Sequence, residues 1–437
     1  MVQRCRILNL SVTAVIVLSI YNVLLTVKLM YNKDDCPHVK IQHVVSQSSA
    51  PPKPPCNSQV NDISTDTVFS KLDLKLGRWD NKLIIKYFDN FLVGDRYSQL
   101  NEDFTVCLAT QSSIEKLSSL VEVSSTWHGA ISTAVYAAGD DELNLILLYL
   151  IYLRQCFVNI KNRVSFHLAV PKGRMPKSIQ VDLASLAQMD CNRPDVTLQQ
   201  LLKRRSAITA KWRIKNPYPQ NHLRNLARKN CHSGHVFLTD VDIVPSDLLA
   251  EKLDGFLKKA SCTKLCAYVI PTYELDNRIR FPPNKTELVR LASKGLARPF
   301  HHKVFIYNQF ATNFSKWQTG ANEESQEVHI SHPVTNFEFL YEPFYVAPDT
   351  APPHDERFIG YGYTRNTQVY EMYVAGYEFL VLSPIFTVHW GLQVKRSRPP
   401  WREHQNNQNR KLFDTFKREV FAKYKKDPLH MVANSHR

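Results

Sequence analysis

The segment HVFLTDVDIVPS, residues 235–246, decides the fold class of this 437-residue chain. It begins with a short apolar run, and Asp240 and Asp242 follow directly after that run. Side chains alternate between the two faces of a strand, so residues two apart can turn both carboxylates to one side. In open α/β sheets, ligands bind beyond the carboxyl ends of the strands. The segment therefore predicts a buried strand that delivers two acidic side chains to a binding site.

Similar apolar runs recur from about residue 100, separated by stretches of helical character. Near-continuous apolar strands between helices predict an α/β fold with a mixed, mainly parallel central sheet covered on both faces. Leu143 to Leu153 is too apolar for a surface helix, so we expect it deep in the globule. The predicted strands are FTVCLATQ (104–111), AISTAVYAA (130–138), VSFHLAV (164–170), HVFLTD (235–240) and CAYVIPTYEL (266–275).

The composition excludes disordered and fibrous proteins, because 44% of the residues are hydrophobic and only 13 are glycine. The net charge of +15 points to an anionic partner. However, residues 196–230 hold nine basic residues and no acidic one, and residues 394–437 hold twelve basic against four acidic. The rest of the chain is therefore slightly acidic. This distribution excludes a uniformly basic nucleic-acid coat, and we expect no nucleic-acid partner.

An apolar segment near the N-terminus predicts a membrane anchor. Residues 7–27, ILNLSVTAVIVLSIYNVLLTV, are 21 residues without a formal charge, about the length that crosses a bilayer. Arg4 and Arg6 precede the segment, which favours a cytosolic tail at residues 1–6 and a type II orientation. A cleaved signal peptide is the alternative, but the run is longer than a typical signal core and no clear cleavage site follows.

The region after the anchor, residues 28–99, predicts a stem and a lead-in to a luminal domain at 100–437. It contains SSAPPKPPCNS, a proline-stiffened stretch with little apolar periodicity. Eight cysteines follow the anchor, an even number that permits disulfides in an oxidising lumen. Cys36 and Cys56 would allow two stems to be tied into a homodimer. Cys262 and Cys266 enclose three residues, unlike a zinc framework, so we expect bridges or buried thiols rather than metal ligands.

Two tripeptides beyond the anchor match the acceptor pattern for N-glycosylation. They are Asn284-Lys-Thr and Asn313-Phe-Ser. The type II orientation would place both of them in the lumen, where the modification takes place.

Asp240 and Asp242 are the candidate metal ligands. Hard carboxylate oxygens suit Mn²⁺ or Mg²⁺, which would be shared with the phosphates of a substrate. His389, in FTVHWGLQ, directly follows another apolar run and could complete the site, which would favour manganese over calcium. The alternatives are a turn or helix cap made by the aspartates, and a histidine that is merely hydrogen-bonded.

The segment YPQNHLRNLARKN, residues 218–230, predicts a helix upstream of the aspartates. Arg224 and Arg228 lie four residues apart on one face, which could hold a diphosphate or a uridine. Asn221 and Arg224 are the residues that we expect to contact such a ligand. A solvated basic stripe is the alternative interpretation.

Asp355 and Glu356 are the candidate catalytic residues, because they precede an aromatic Gly-Tyr-Gly loop. Transfer of a sugar to a hydroxyl requires a base, and a carboxylate near the acceptor can accept the proton. Adjacent residues rarely point in one direction, so one would be the base and the other would bind Arg357 or cap a helix.

Taken in order, several motifs resemble the β-1,4-glucuronyltransferases of dystroglycan glycosylation, glycosyltransferase family 49. More distantly, they resemble the second catalytic domain of the LARGE glycosyltransferase. The similarity covers roughly residues 100–425, and the ordered set is specific although no single motif is. The motifs are YPQNHLRNLAR, FLTDVDIVPS, NKTEL, YEPFYVAP, HDERF, VAGYEF and VHWG.

The resemblance implies a GT-A fold, Golgi residence, Mn²⁺ dependence and inverting β-1,4 transfer of glucuronic acid from UDP-glucuronate. The implied acceptor is a xylose on a growing O-mannosyl glycan of a glycoprotein. Asp240 and Asp242 match the family's metal-binding D-x-D, His389 matches a histidine near the end of its catalytic domain, and HDERF matches a segment on the acceptor side. Two rivals stay open: another UDP-sugar, xylose or N-acetylglucosamine, and a catalytically silent membrane-tethered glycan-binding protein.

Overall fold

A computed structural model describes the globular part of the chain. The predicted anchor at residues 7–27, Cys36 and Cys56 lie outside the described residues. Within those residues, no helix is both long enough and apolar enough to cross a membrane. The described residues are 69, 72–262, 264–319, 327–395 and 399–432.

The described residues form two sheets, one of ten strands and one of four. In chain order the strands are β1 (Arg78–Trp79), β2 (Ile85–Leu92), β3 (Val106–Ser113), β4 (Ile131–Tyr136), β5 (Val164–Pro171), β6 (His235–Leu238), β7 (Ile243–Pro245), β8 (Leu265–Val269), β9 (Thr272–Leu275), β10 (Ala297–Pro299), β11 (His329–Pro333), β12 (Tyr345–Pro348), β13 (Tyr377–Ser383) and β14 (Thr387–Trp390).

Helices connect most of the strands and pack against the sheets. The α-helices are α1 (Tyr97–Asp103), α2 (Leu120–Thr126), α3 (Asp140–Cys156), α4 (Val158–Arg163), α5 (Pro194–Leu202), α6 (Ala207–Lys215), α7 (Gln220–Lys229), α8 (Leu249–Lys259), α9 (Lys285–Ser293), α10 (Phe314–Thr319), α11 (Asn366–Ala375) and α12 (Pro400–Tyr424). Short 3₁₀ turns lie at Ile114–Ser119, Lys172–Arg174, Leu183–Gln188, Ile306–Asn308 and Phe310–Thr312.

The large sheet has the order β1-β2-β5-β4-β3-β6-β12-β8-β13-β11, and the small sheet has the order β10-β9-β14-β7. The predicted α/β class is confirmed, but the expectation of a mainly parallel sheet is wrong. In the large sheet, only the run β5-β4-β3-β6 and the pair β8-β13 are parallel. The other five neighbouring pairs of the large sheet are antiparallel.

The segment 266–275, predicted as one strand, is two strands in different sheets. Val269 ends β8 in the large sheet, and Thr272 begins β9 in the small one. Pro271 lies between them, and proline cannot donate a hydrogen bond to a sheet ladder. The chain therefore changes sheet at this proline.

The predicted boundary at residue 100 falls inside the globular domain. Strand β2 pairs with β5, and Phe69 and Leu72 belong to the main hydrophobic core. The signal was weak because β2, IKYFDNFL, interrupts its apolar positions with polar residues. The lead-in to the predicted domain is thus part of the sheet.

The core explains the apolar helix. Every residue from Leu143 to Leu153 except Asn144 is buried in α3, which confirms the predicted deep helix. Apolar burial of this kind supplies most of the driving force for folding, roughly 25 cal/mol per Å².

The basic C-terminal tail is a helix packed on the globule. Phe413, Phe416 and Val420 of α12 lie in one cluster with Phe358 and Tyr370. Its charged residues occupy the other faces, and most of them are exposed. The charge of the tail is therefore largely that of a solvated helix face.

Three disulfides join six of the eight cysteines that follow residue 27, and none of the six takes part in a cluster of potential metal ligands in the described part of the chain. They are Cys107–Cys231, Cys156–Cys191 and Cys262–Cys266. The expectation of structural bridges is confirmed for Cys262 and Cys266.

The Cys107–Cys231 bond closes a loop of 124 residues and should contribute most to stability. Replacing both cysteines by alanine should lower the free energy of unfolding by about 2–5 kcal/mol, because a long loop regains entropy in the unfolded chain. The matched control replaces Cys262 and Cys266, which are four residues apart, and should cost less. Urea unfolding followed by tryptophan fluorescence measures both, and equal losses would contradict the expectation.

Candidate active site

The two aspartates lie where the chain crosses from the large sheet to the small sheet. Strand β6 ends at Leu238 in the large sheet, and β7 begins at Ile243 in the small sheet. Asp240 and Asp242 occupy the turn between them, beyond the carboxyl end of β6, which runs parallel to β3. This is the position in which open α/β sheets bind their ligands.

The register of the small sheet brings His389 to the same place. Strand β14 pairs with β7 so that His389 lies opposite Ile243, the residue after Asp242. The Nε2 atom of His389 lies 3.6 Å from Oδ2 of Asp242. Two predicted metal ligands that are 147 positions apart in sequence are thus neighbours because of strand pairing.

A cavity of about 560 Å³ opens over this turn. Its walls combine acidic, basic, aromatic and amide side chains, a composition suited to a polar ligand that carries a ring. The lining residues are Gln220, Arg224, Asp240, Asp242, Phe300, His301, Val304, Phe305, Asn308, Leu340, Glu342, Phe344, Tyr361, Gly362, Tyr363, Thr364, Arg365, Asn366, His389, Gln393 and Asn406.

Two arginines hold Asp240. Arg365 donates from Nη2 to Oδ1 at 2.7 Å, and Nη2 of Arg224 lies 3.5 Å from the same oxygen. Both arginines are more than nine-tenths buried, and the Arg365 guanidinium also lies 4.3 Å from the centre of the Phe344 ring. Since both contacts use Oδ1, Oδ2 is the atom with which Asp240 would reach a cation.

Asp242 is ionised over the whole physiological range. Burial alone would raise its pKa, but the hydrogen bond and charge of His389, together with Lys116, outweigh burial and lower the pKa to about 2. The Lys116 ammonium lies 3.3 Å from Oδ2. The carboxylate is thus a fixed negative charge on the wall of the cavity.

Asp240, Asp242 and His389 offer atoms of the kind that a divalent cation binds. Two of the three residues also lie in positions from which they could share one cation. Asp242 and His389 offer an oxygen and a nitrogen that face each other, while Asp240 is held back by Arg365. Of the described residues, Asp240, Asp242 and His389 do not form a group whose ligand atoms all lie within 4.8 Å of one another. A shift of the Asp240 carboxylate away from Arg365 would be needed to complete the set.

Glu342 is a cavity residue that the sequence did not single out. Its Oε2 accepts a 2.6 Å hydrogen bond from Nδ2 of Asn308. Burial raises the pKa of Glu342, although Arg365 and Arg224 act in the opposite direction. In the sequence, Glu342 stands out only as part of the motif YEPFYVAP. No spacing rule links residue 342 to residue 240.

His301 also lines the cavity without having been predicted. Its ring stacks on Phe300 with centroids 3.9 Å apart. Burial lowers the pKa of His301 to about 4, so the ring is neutral at neutral pH and offers one donor and one acceptor.

Of the two predicted donor-binding residues, the structure places only Arg224 in the cavity. Asn221 is fully buried: it accepts from Arg224 and donates to the backbone oxygen of Asp355. Arg228, the partner of Arg224 in the predicted basic face, instead binds Asp349 and the backbone of the following loop. The helix itself is confirmed as α7.

Asp355 and Glu356, the predicted base candidates, do not line the cavity. The carboxylate of Asp355 is bound by Nε and Nη2 of Arg357, with distances of 2.6 to 3.0 Å. Glu356 accepts from Tyr87 and Asn225 in a separate groove. The structure therefore does not bring either carboxylate to the cavity that holds Asp240, Asp242 and His389, because Arg357 binds the first and Tyr87 and Asn225 bind the second.

The two predicted glycosylation acceptors are both exposed. Asn284 caps the N-terminus of α9 by accepting from the backbone of Glu287 at 2.9 Å. Asn313 precedes α10 and accepts from the backbone of Lys316 at 3.2 Å. Both contacts use the side-chain oxygen, so the amide nitrogen, where a glycan attaches, is not engaged by them.

Comparison with known proteins gives the site its context. The family model described as "Glycosyl-transferase for dystroglycan" matches residues 105–425. The chain is 32% identical over 326 residues to beta-1,4-glucuronyltransferase 1 of Homo sapiens, covering 74% of this chain and 77% of the relative. It is 25% identical over 338 residues to xylosyl- and glucuronyltransferase LARGE2s of Danio rerio, covering 75% of this chain and 37% of the relative.

A solved structure of GalNAc-T7 with UDP, GalNAc and Mn²⁺ covers 73% of this chain and 50% of its own, with a TM-score of 0.32 and 8% identity. That similarity is too low to carry an argument. The family match confirms the predicted resemblance and includes Asp240, Asp242, Glu342 and His389. The chain is a hexosyltransferase and belongs to the family of glycosyl-transferases for dystroglycan.

Proposed function

We propose that this enzyme transfers glucuronic acid from UDP-glucuronate, with inversion, to a xylose that ends an O-mannosyl glycan, in β-1,4 linkage. The observation that carries the proposal is the convergence of Asp240, Asp242 and His389 with Arg224 and Arg365 at one cavity. The relative named beta-1,4-glucuronyltransferase 1, which matches over three-quarters of its length, supports the choice of sugar and linkage.

Asp242 and His389, with Oδ2 of Asp240, would hold Mn²⁺, or Mg²⁺ in its place. When bound, the ion supplies positive charge to the diphosphate of the departing UDP. Arg224 and Arg365 are buried beside Asp240 and add fixed positive charge at the same end of the cavity. Because they are already positioned, they stabilise the leaving group without reorganisation.

Arg224 is also suited to the carboxylate of glucuronate. It is the one basic residue of the segment 196–230 among the described residues that line the cavity. A guanidinium can bind a carboxylate through two parallel hydrogen bonds, which a neutral sugar would leave unused. This gives a physical reason for preferring an acidic donor sugar.

Glu342 is the base in this proposal, in place of Asp355 or Glu356. It lies on the cavity wall, and its raised pKa makes it a better proton acceptor than an ordinary carboxylate. Its carboxylate would take the proton of the acceptor hydroxyl as that oxygen attacks the anomeric carbon. The bond to UDP breaks on the opposite side, so a single displacement inverts the configuration without a covalent enzyme intermediate.

We place the enzyme in the Golgi lumen, as a type II protein held by residues 7–27. The three disulfides of the globular domain support an oxidising compartment. The exposed Asn284 and Asn313 are compatible with glycosylation there.

A panel of UDP-sugars tests the donor directly. We expect UDP release with UDP-glucuronate and a β-xyloside acceptor in the presence of Mn²⁺, and a β-1,4-linked product by linkage analysis. UDP-xylose and UDP-N-acetylglucosamine should give at least about tenfold less, since they lack the carboxylate that Arg224 would bind. Turnover with either of these donors but not with UDP-glucuronate would overturn the assignment of the sugar.

Glu342→Gln should lower kcat about 100-fold or more, with little change in KM, because the amide cannot accept the proton. In the unaltered enzyme kcat/KM should fall as the pH drops through the raised pKa of Glu342. The acidic limb of the pH dependence of kcat/KM should therefore have an apparent pKa above that of an ordinary glutamate, about 4.3. This limb should be absent in Glu342→Gln.

The matched control is Glu338→Gln, an exposed carboxylate four residues away. The rival base is tested by Asp355→Asn. A large loss of kcat in Asp355→Asn, with normal turnover in Glu342→Gln, would return the role of base to the HDERF segment.

A further inference from the structure

A second cluster of potential metal ligands includes a residue of α7 but does not line the cavity. Asp80, His222 and Glu356 each offer one ligand atom, and these atoms all lie within 4.8 Å of one another. Across the described part of the chain, no other group of three such side chains meets this criterion. The cluster does not include Asp240, Asp242 or His389.

The three side chains come from distant parts of the sequence. Asp80 lies between β1 and β2, His222 lies in the first turn of α7, and Glu356 lies in the loop after β12. The side chains of Asp80 and His222 are 2% and 1% exposed, while that of Glu356 is 28% exposed. The cluster is therefore closed on two sides and reachable from the side of Glu356.

His222 is the observation that points to a ligand. Neither of its ring nitrogens has a hydrogen-bond partner, although the side chain is almost completely buried. An unsatisfied buried polar group costs roughly 1–3 kcal/mol, so such groups are rare without a reason. Its Nε2 atom lies between two carboxylates, 3.5 Å from Oδ2 of Asp80 and 3.9 Å from Oε2 of Glu356.

These distances favour a metal ion over a proton shared with the carboxylates. A protonated histidine that bound the carboxylates directly would lie about 2.7–2.9 Å from their oxygens. Ligands at about 2.1 Å around a tetrahedral zinc lie about 3.4 Å from one another. The observed separations are closer to the second value.

The remaining oxygens of both carboxylates are already oriented by other groups. Oδ1 of Asp80 accepts from the backbone of Ile84 at 2.7 Å and of Ile85 at 2.8 Å. Oε1 of Glu356 accepts from Tyr87 at 3.2 Å and from Asn225 at 3.1 Å. Outer contacts of this kind are typical of metal sites, because they fix the direction of the ligating atom.

We propose that Asp80, His222 and Glu356 bind a Zn²⁺ ion, with a fourth, open position on the side of Glu356. One imidazole and two carboxylates are ligands that zinc accepts in a tetrahedral site. A groove lined by Tyr87, Asn225 and Glu356 leads to that side and gives water access. The ion also supplies the positive charge that two carboxylates facing a buried imidazole require.

The bound ion would fix α7 against the loop that follows β12. Helix α7 carries Arg224 into the cavity, and the loop continues to Tyr361, Gly362 and Arg365 on the cavity wall. The site is thus structural for the cavity, but its existence does not depend on the sugar that the enzyme transfers.

Zinc content of the purified full-length chain tests the proposal. Asp242→Asn serves as the background, because it disables the predicted manganese site. After removal of metal and dialysis against Zn²⁺, elemental analysis should give about one zinc per chain. Adding Glu356→Gln or His222→Leu should weaken zinc binding at least about tenfold, whereas Asp349→Asn, in the same groove but outside the cluster, should not.

The visible absorption spectrum of bound Co²⁺ provides a second measurement on the same proteins. A visible absorption band typical of tetrahedral cobalt should appear in the Asp242→Asn background and in its Asp349→Asn variant, and should be absent with Glu356→Gln. Since Glu356 is partly exposed, its variant carries the test even if His222→Leu does not fold. No zinc in the background protein, equal affinity after Glu356→Gln, or binding of Mn²⁺ in preference to Zn²⁺ would each overturn the proposal.

Discussion

The central constraint on this structure is that two carboxylates lie where the chain crosses from one sheet to the other, so they need opposite charges nearby. Asp240 and Asp242 follow a strand of the large sheet and precede a strand of the small one, so the fold itself brings them into a partly buried position. Unpaired charges there would be costly, and the cost falls when opposite charges are close. Arg224 from α7, Arg365 before α11 and Lys116 supply those charges, and His389 from β14 lies 3.6 Å from Asp242. In the proposed function, the same arrangement that stabilises the turn would bind a cation and a diphosphate in the cavity.

Part of the cavity wall is held by the C-terminal helix, α12. Nδ2 of Asn409 in α12 donates to the backbone oxygens of residues 359, 361 and 362. Gly360 and Gly362 have positive φ angles of 80° and 84°, which other residues rarely adopt, and they lie close against Gln405 and Asn406. A helix whose composition suggests a solvated basic tail therefore fixes the loop that carries Tyr361 and Tyr363. The family match extends to residue 425 and so includes this helix.

Local sequence patterns predicted several of the helices and strands. The positions of the site residues and the order and direction of the strands depend instead on long-range pairing. The strand at 235–240, the deep helix at 143–153 and the helix at 218–230 follow from apolar periodicity and appear as β6, α3 and α7. The aspartates could be found because they follow a strand directly. Asp355 and Glu356 lie outside the cavity, and nothing in HDERF indicates which groups their carboxylates bind. Glu342 was missed for the same reason, since its place beside Arg365 and Arg224 depends on sheet order. The sequence likewise could not predict how many strand pairs are parallel and how many are antiparallel, because strand direction depends on which strands become neighbours.

The most direct test of the central claim is calorimetric titration of UDP into the purified protein, with and without Mn²⁺. If the paired aspartates bind a cation that in turn binds the diphosphate, UDP binding should require Mn²⁺ and should weaken at least about tenfold in Asp242→Asn. Asp247→Asn, an exposed aspartate on the same segment, is the control and should bind normally. Equal UDP affinity with and without the metal, or in Asp242→Asn and the unaltered protein, would contradict the claim.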